Sequence, residues 1–421
     1  MALSATVSPA GASTSALPNL DSIIRGLLYL YTFSLPFKRL LFIERNGFII
    51  LVVLLVLWCV VNRRHFFLRT QIDLPLLAFI AWVGFTVPFA TFPAYSSKEF
   101  AKLLQQGLMF YAVVYFFREE IHRRRLVWML VGLFPVIGFY GIWQFLTDVL
   151  PHARTGDLSV IESVLPGEVW LTTYLVMLIP IALAMALYEK ERPAKMILWA
   201  GVCLGVLCQI LTFSRAGFLA LAVEAMAVGI VVTQSWWKRY LALVVLLSAG
   251  LGTGLLLQAQ VAKETGPSFF SERKLNTSNL TARWNVWAFG LNKIPERPLF
   301  GFGYGKDNFY IVFRKETDRT NSPGQHEIPA GTHNVFVDLA VGVGPVGAAL
   351  FIWLLGAVGR VAYRGFRLRT NHFEMAVSLG VFLLVVGTVV RNSFDHFLVG
   401  SMAVLFWVLA ALSLAAKEHQ Q

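Results

Sequence analysis

Apolar stretches close to the ~20 residues that a helix needs to cross a bilayer recur along the whole chain. They fall at about 22–37, 46–62, 73–91, 100–117, 126–149, 168–188, 194–213, 216–234, 239–259, 333–358, 373–390 and 398–416. Only 14% of the 421 residues are charged and 57% are hydrophobic, whereas a soluble chain carries about 25% charged residues. Hydrocarbon must therefore be the solvent for most of the chain. Lipid cannot satisfy backbone polar groups, so the spans are expected to be helices. The expected fold class is an all-α polytopic membrane protein with about twelve transmembrane helices.

The charges give the topology. Basic clusters follow the second, fourth, sixth, eighth and tenth spans: Arg63–Arg64 with Arg69, Arg118 to Arg125, Lys190 to Lys195, Lys238–Arg239, and Arg360 to Arg369. Positive charge holds loops in the cytoplasm, so both termini are expected there. The formal net charge of +12 is explained by topology and does not indicate a nucleic-acid partner. On this reading 1–20 is a disordered N-terminal tail and 21–259 holds helices one to nine. A periplasmic loop follows at 260–332, then helices ten to twelve at 333–416 and a cytoplasmic tail at 417–421. Cys59, Cys203 and Cys208 all lie in apolar runs without a CxxC pair, as buried, inert thiols do.

The 260–332 loop is too long to be a mere connection. Within it, Trp284, Trp287, Leu291 and Ile294 recur at helical spacing, which predicts an amphipathic helix over 279–294. Pro295 and Pro298 can stop it. Tryptophans suit the headgroup level, so this helix is expected to lie against the membrane surface.

Basic residues are sparse at outer membrane ends, which makes those present informative. Arg215 sits in the tight turn Thr212–Gly217, Arg283 opens the amphipathic helix, and His333 begins the tenth span. Arg391 and His396 mark a further outer turn. Singly, each has a bland reading: arginines snorkel to headgroups, and a histidine at a helix start can be a satisfied interfacial residue. Together they suit an enzyme acting on a lipid diphosphate, since guanidinium forks bind phosphate and imidazole can take a proton.

Other sites fail. His326–Glu327 with His333 lacks metalloprotease spacing, so no metal site and no cofactor are expected. Gly301 to Lys306 is not a phosphate-binding P-loop, because no serine or threonine follows the lysine. It reads as tight, non-helical backbone. Ser214 has no triad context. Polar groups inside the spans are few, chiefly Glu224, Gln144 and Gln209, which speaks against a transporter with a midplane site.

At this point the chain resembles the O-antigen ligase and polymerase superfamily. His333–Asn334, followed after nine residues by Gly344–Pro345–Val346–Gly347, resembles the ligases' H-[NSQ]-x9-G-x-x-G pattern. Ser214–Arg215–Ala216–Gly217 resembles the family's S-R-[AG]-G turn. Arg283, Trp284 and Trp287, leading through Pro298 to Gly301–Phe302–Gly303, are similar to its R-x3-W…P-x2-G-x-G stretch. The likeness runs from about Leu211 to Gly347.

The resemblance implies a GT-C-like glycosyltransferase of the bacterial inner membrane with its active site facing the periplasm. It implies a metal-independent transfer from an undecaprenyl-diphosphate-linked glycan to the lipid A-core oligosaccharide; in-line attack would invert the anomeric carbon, and a monomer among membrane lipids is expected. His333, Arg215 and Arg283 would be catalytic. Arg215, Arg283, Asn334, Arg391 and His396 would bind substrate. The alternatives are an O-antigen polymerase and, in another class, a lipid-linked oligosaccharide transporter.

Overall fold

The computed structural model describes residues 18–149, 151, 161–232, 278–320, 331–396 and 399–415. The predicted ninth span, both tails, His326–Glu327 and much of the long loop lie outside these. The elements of the described residues are all helices, without a strand. In chain order the helices are α1 Pro18–Ser34, α2 Leu41–Asn62, α3 Asp73–Thr86, α4 Pro93–Phe116, α5 Glu120–Gln144, α6 Glu168–Tyr188 and α7 Arg192–Leu211. They continue with α8 Arg215–Val232, α9 Ser278–Lys293, α10 Asn308–Thr320, α11 Val335–Gly342, α12 Gly344–Leu368, α13 His372–Asn392 and α14 Gly400–Leu414.

Among the described residues, seven helices are long and apolar enough to cross a membrane by themselves: α2, α5 with its π-helical end, α6, α7, α8, α12 and α13. Of the twelve predicted spans, the ninth lies outside the described residues, and others are too short or too polar: α1 is 17 residues, α3 is 14 and α14 is 15, and α4 is too polar along its first half. Almost all of α14 is buried, so it reaches its neighbours rather than lipid. Burial orders the bundle. In α6 and α13, 83% and 72% of the apolar window is buried, against 22% in α2 and 17% in α8. α13 packs on α6, α8, α12 and α14 at the centre. Of the cysteines, only Cys208 is buried; Cys59 is half-buried and Cys203 lies exposed on α7, which corrects the expectation of three buried thiols.

Contacts between helix ends join like with like. At one end Lys38 donates its backbone N–H to Val164 O (3.0 Å) and Thr91 to Phe302 O (2.8 Å). At the other, Asn371 Nδ2 donates to Glu120 Oε2 (2.9 Å) and Arg123 Nη1 to Ala415 O (3.1 Å). This is the alternation that the basic loops require; the first end is called outer below.

The predicted tenth span is two helices. α11 ends and α12 begins at Val343–Gly344, where Gly344 has φ +78° and Pro345 follows. A Cβ on Gly344 would stand 2.2 Å from Leu299 O, so only glycine allows this approach. The end carbonyls of α11, which have no partner within the helix, are satisfied by the glycine-rich loop. Phe302 N–H donates to Val341 O (3.0 Å), and Gly303 N–H to Gly342 O (2.7 Å). Trp82 Nε1 donates to Val343 O (2.8 Å). Gly301 and Gly303 have φ +65° and +131°. The two glycine motifs are therefore partners in one backbone joint.

The loop helix forms over the predicted residues but turns a different face inward. Val286 and Gly290 are buried, with Val286 packing on Phe302, Phe309, Phe313 and Val341. Trp284 and Leu291 are 68% and 51% exposed, free to meet headgroups. The second loop helix, α10, was not predicted. Its Phe309 and Phe313, at i and i+4, were the available signal.

Candidate active site

His333 is held in an unusual backbone conformation, with φ +48°. The left-handed region costs a non-glycine residue roughly 1–2 kcal/mol, so the turn must be fixed from both sides. Before it, Thr332 is buried; its carbonyl accepts from Trp287 Nε1 (2.7 Å), and its hydroxyl donates to Asn334 O (3.1 Å). After it, Asn334 is the N-cap of α11. Its side-chain oxygen accepts from Phe336 N (2.9 Å) and Val337 N (3.2 Å). That oxygen is thus committed to the helix start, which leaves only the amide NH₂ of Asn334 for a substrate.

The partner of His333 comes from 62 residues away. His333 Nδ1 lies 3.0 Å from Asp395 Oδ1. The other carboxylate oxygen of Asp395 is 3.6 Å from Arg391 Nη1, on a side chain that is 3% exposed. Burial pushes the Asp395 carboxyl up, but the His333 hydrogen bond and the charges of Arg391, His333 and Arg283 outweigh it. The group is held below the ordinary carboxylate value. Asp395 is therefore ionised near neutral pH. The interaction is present above the ordinary carboxylate pKa of about 3.9 and is lost only as pH falls through the depressed value.

A carboxylate only accepts hydrogen bonds, so the shared proton belongs on Nδ1 and the lone pair on Nε2. The His333 side chain is 37% exposed, leaving that lone pair accessible. This is the arrangement a general base requires.

Asp395→Asn should lower activity by at least about 100-fold, because an amide can donate to Nδ1 and select the wrong tautomer. The variant's turnover checks this; near-wild-type activity would remove Asp395 from the mechanism. Over about pH 5 to 8, no limb of the wild-type pH profile should come from Asp395 itself.

The remaining predicted residues stand differently with respect to this pair. Arg283 is close enough for its charge to act on Asp395. His396 points elsewhere. Its backbone N–H donates to Asp395 Oδ1 (3.2 Å), while its Nδ1 lies 2.7 Å from Asp338 Oδ2. Arg215 stands exposed at the first residue of α8. Its turn is built by Phe213 at φ +54° and by the Thr212 hydroxyl, which accepts from Gln209 Nε2 (3.0 Å) and Ser214 N (3.3 Å). α8 runs along α13, with Glu224 against Gly387. Arg215 is nine residues outward from Glu224 and Arg391 four residues outward from Gly387, about 13 Å and 6 Å of helix. Both guanidiniums therefore belong to the outer end.

Sequence reasoning missed Asp395. The available signal was a carboxylate inside the outer turn already marked by Arg391 and His396.

Comparison with known proteins finds relatives for part of the chain. Residues 200–352 match the family described as O-antigen ligase, a stretch that includes Arg215, Arg283 and His333 but ends before Arg391 and Asp395. A Rickettsia felis protein named "Putative polysaccharide ligase" is 27% identical over 175 residues, 41% of this chain and 41% of that protein. A Rickettsia bellii protein of the same name is 28% identical over 181 residues, again 41% of each. The chain thus spans less than half the length of these curated relatives. The matches bear out the resemblance read in the sequence: residues 200–352 are similar to the O-antigen ligase family.

Proposed function

We propose that the protein is a glycosyltransferase that moves a glycan from undecaprenyl diphosphate to a sugar hydroxyl of the lipid A-core oligosaccharide, on the periplasmic side of the bacterial inner membrane. The observation that carries this reading is the His333–Asp395 pair set among Arg391 and Arg283. His333 Nε2 takes the proton of the acceptor hydroxyl, and Asp395 stabilises the resulting imidazolium. The acceptor oxygen forms its bond to the anomeric carbon as the bond to the diphosphate breaks. The diphosphate leaves with its electron pair, held by Arg215 and Arg283 through preorganised charge. Attack opposite the leaving group inverts the anomeric centre.

The test combines purified protein in nanodiscs with lipid-diphosphate glycan and lipid A-core, with EDTA and without ATP. Gain of glycan mass on lipid A-core supports the reading, and NMR of that product reads the anomeric configuration. Glycan growing on its own carrier would make the protein a polymerase. No transfer to either acceptor would sink the transferase reading and favour a transporter.

Arg215→Lys keeps the charge but loses the planar fork. Hydrogen bonds to charged groups contribute about 1.5–3 kcal/mol, so transfer should fall about 10- to 100-fold. Unchanged kcat/KM for the donor would show that Arg215 does not grip the diphosphate by two bonds.

A further inference from the structure

A second concavity adjoins the His333–Asp395 centre and takes no part in the chemistry above. It is a cavity of about 240 Å³, and its walls include Glu99 and Gln106 of α4, Trp170 of α6, Tyr304 of the glycine-rich loop, Asp338 of α11, and His396. Past Lys102, Gln106 and Gly400 it continues into a hollow of about 350 Å³ bounded by Phe48 and Ile49 of α2. Ile49 is 59% exposed on the outside of the bundle. The cleft therefore runs from the lipid-facing flank of α2 to His396. There the His396 backbone shares the Asp395 oxygen with His333.

The lysines of its lining, Lys102 and Lys306, are matched by the carboxylates of Glu99, Asp307 and Asp338, so the wall has no excess of positive charge to hold a phosphate. The lining does offer unused hydrogen-bonding capacity. Gln106 is 8% exposed, and its amide has no side-chain hydrogen bond among the described residues. The Tyr304 hydroxyl likewise has no hydrogen-bond partner among the described residues. Burial, then the charges of Glu99 and Asp338, hold its phenol above the ordinary value, so it remains a donor. Glu99 gives one oxygen to Lys102 (2.5 Å) and keeps the other. Trp170 is half-buried, with its ring edge against Gly400, where an added Cβ would stand 3.0 Å away. Carboxylates, an amide and a phenol together complement hydroxyl groups, which both donate and accept. An indole offers a flat apolar face to ring C–H groups.

We propose that this cleft is a pyranose subsite: it holds one sugar ring of a glycan substrate, with Trp170 against the ring face and Gln106, Tyr304 and Asp338 bonding its hydroxyls. The source of the ring, donor or acceptor, rests on the transferase reading; sugar binding in the cleft does not. The subsite is built partly by α4 and α6, which lie outside the O-antigen ligase match.

Gln106→Leu, Trp170→Ala and the milder Tyr304→Phe test it in the full-length protein, with thermal melts confirming the fold. In two-substrate kinetics, KM for one substrate should rise tenfold or more in Gln106→Leu and Trp170→Ala, and about threefold in Tyr304→Phe. KM for the other substrate should stay within threefold, and kcat should fall less than threefold. A shift with lipid A-core assigns the ring to the acceptor; a shift with the lipid-diphosphate glycan assigns it to the donor. Unchanged KM for both substrates in folded variants overturns the subsite while leaving the transferase reading intact.

If the wild type transfers nothing, saturation-transfer NMR decides separately. Its probes are delipidated core oligosaccharide and the soluble glycan released from the donor. Binding of either that is lost in Gln106→Leu and weakened in Tyr304→Phe sustains the subsite. Absence of binding by both, or binding unaffected by these changes, overturns it.

Discussion

Replacing His333 by alanine should lower glycan transfer about 10²- to 10⁴-fold, the usual contribution of a general base, while insertion in the membrane is normal. Nδ1 is engaged by Asp395 at 3.0 Å, so the loss would be that of the Nε2 lone pair at the end of a positioned ring. Alanine at φ +48° keeps the backbone strain, so a sceptic could attribute the loss to a distorted turn. His333→Gly separates the two explanations. Glycine accepts the left-handed region without penalty, so this variant should melt no lower than the alanine variant and be equally inactive. Single-turnover transfer and a melting curve on both variants check the claim. Substantial activity in either would remove the base assignment.

Arg123→Ala should be the most destabilising single change at the opposite end of the bundle. Arg123 is 3% exposed and forms a close ion pair with Glu374. Its Nη1 donates to Phe117 O (3.1 Å), Arg118 O (2.5 Å) and Ala415 O (3.1 Å). Arg369 completes the clasp by donating to Glu374 Oε2 (3.3 Å), Ser378 Oγ (2.7 Å) and Ser413 O (2.6 Å). Two guanidiniums thus cover C-terminal carbonyls of α4 and α14, where positive charge also complements the helix dipole, and share one buried carboxylate. Removing one partner of a buried pair costs about 3–5 kcal/mol, and the melting temperature should drop by roughly 10 °C. Arg369 still pairs with Glu374 in this variant, so the loss should lie towards the lower end of that range. Melting in detergent checks this. An Arg123→Ala protein as stable as wild type would show that the clasp contributes little. The turnover of molecules that do fold should be near wild type, since His333 lies at the outer end.

The sequence assigned these arginines to topology alone. Their clusters do mark one set of helix ends, as the end-to-end contacts agree, but nothing in a run such as Arg123–Arg124–Arg125 says which member turns inward. Arg123 is buried while Arg124 makes an exposed i,i+4 pair with Glu120. Likewise Gln144 and Gln209, legible only as polar residues in apolar runs, hold turns. Gln144 Oε1 accepts from Glu162 N (2.9 Å) and Ser163 N (2.8 Å), and Gln209 braces the Arg215 turn.

What the sequence determined by itself is local. Hydrophobic length and charge placement gave the helices, their approximate ends and the alternation of sides, because spanning a bilayer is a property of about 20 consecutive residues. The positions of Arg215, Arg283 and His333 at outer ends were legible for the same reason. The tertiary structure decided what depends on which ends meet. It broke the tenth apolar run at Gly344, because the glycine-rich loop docks its backbone there. It gave His333 its carboxylate from 62 residues away, and it enclosed a cleft with α4 and α6. Apolar periodicity tells a helix which solvent it meets and not which neighbour, so pairings between helix ends emerge only when the bundle closes.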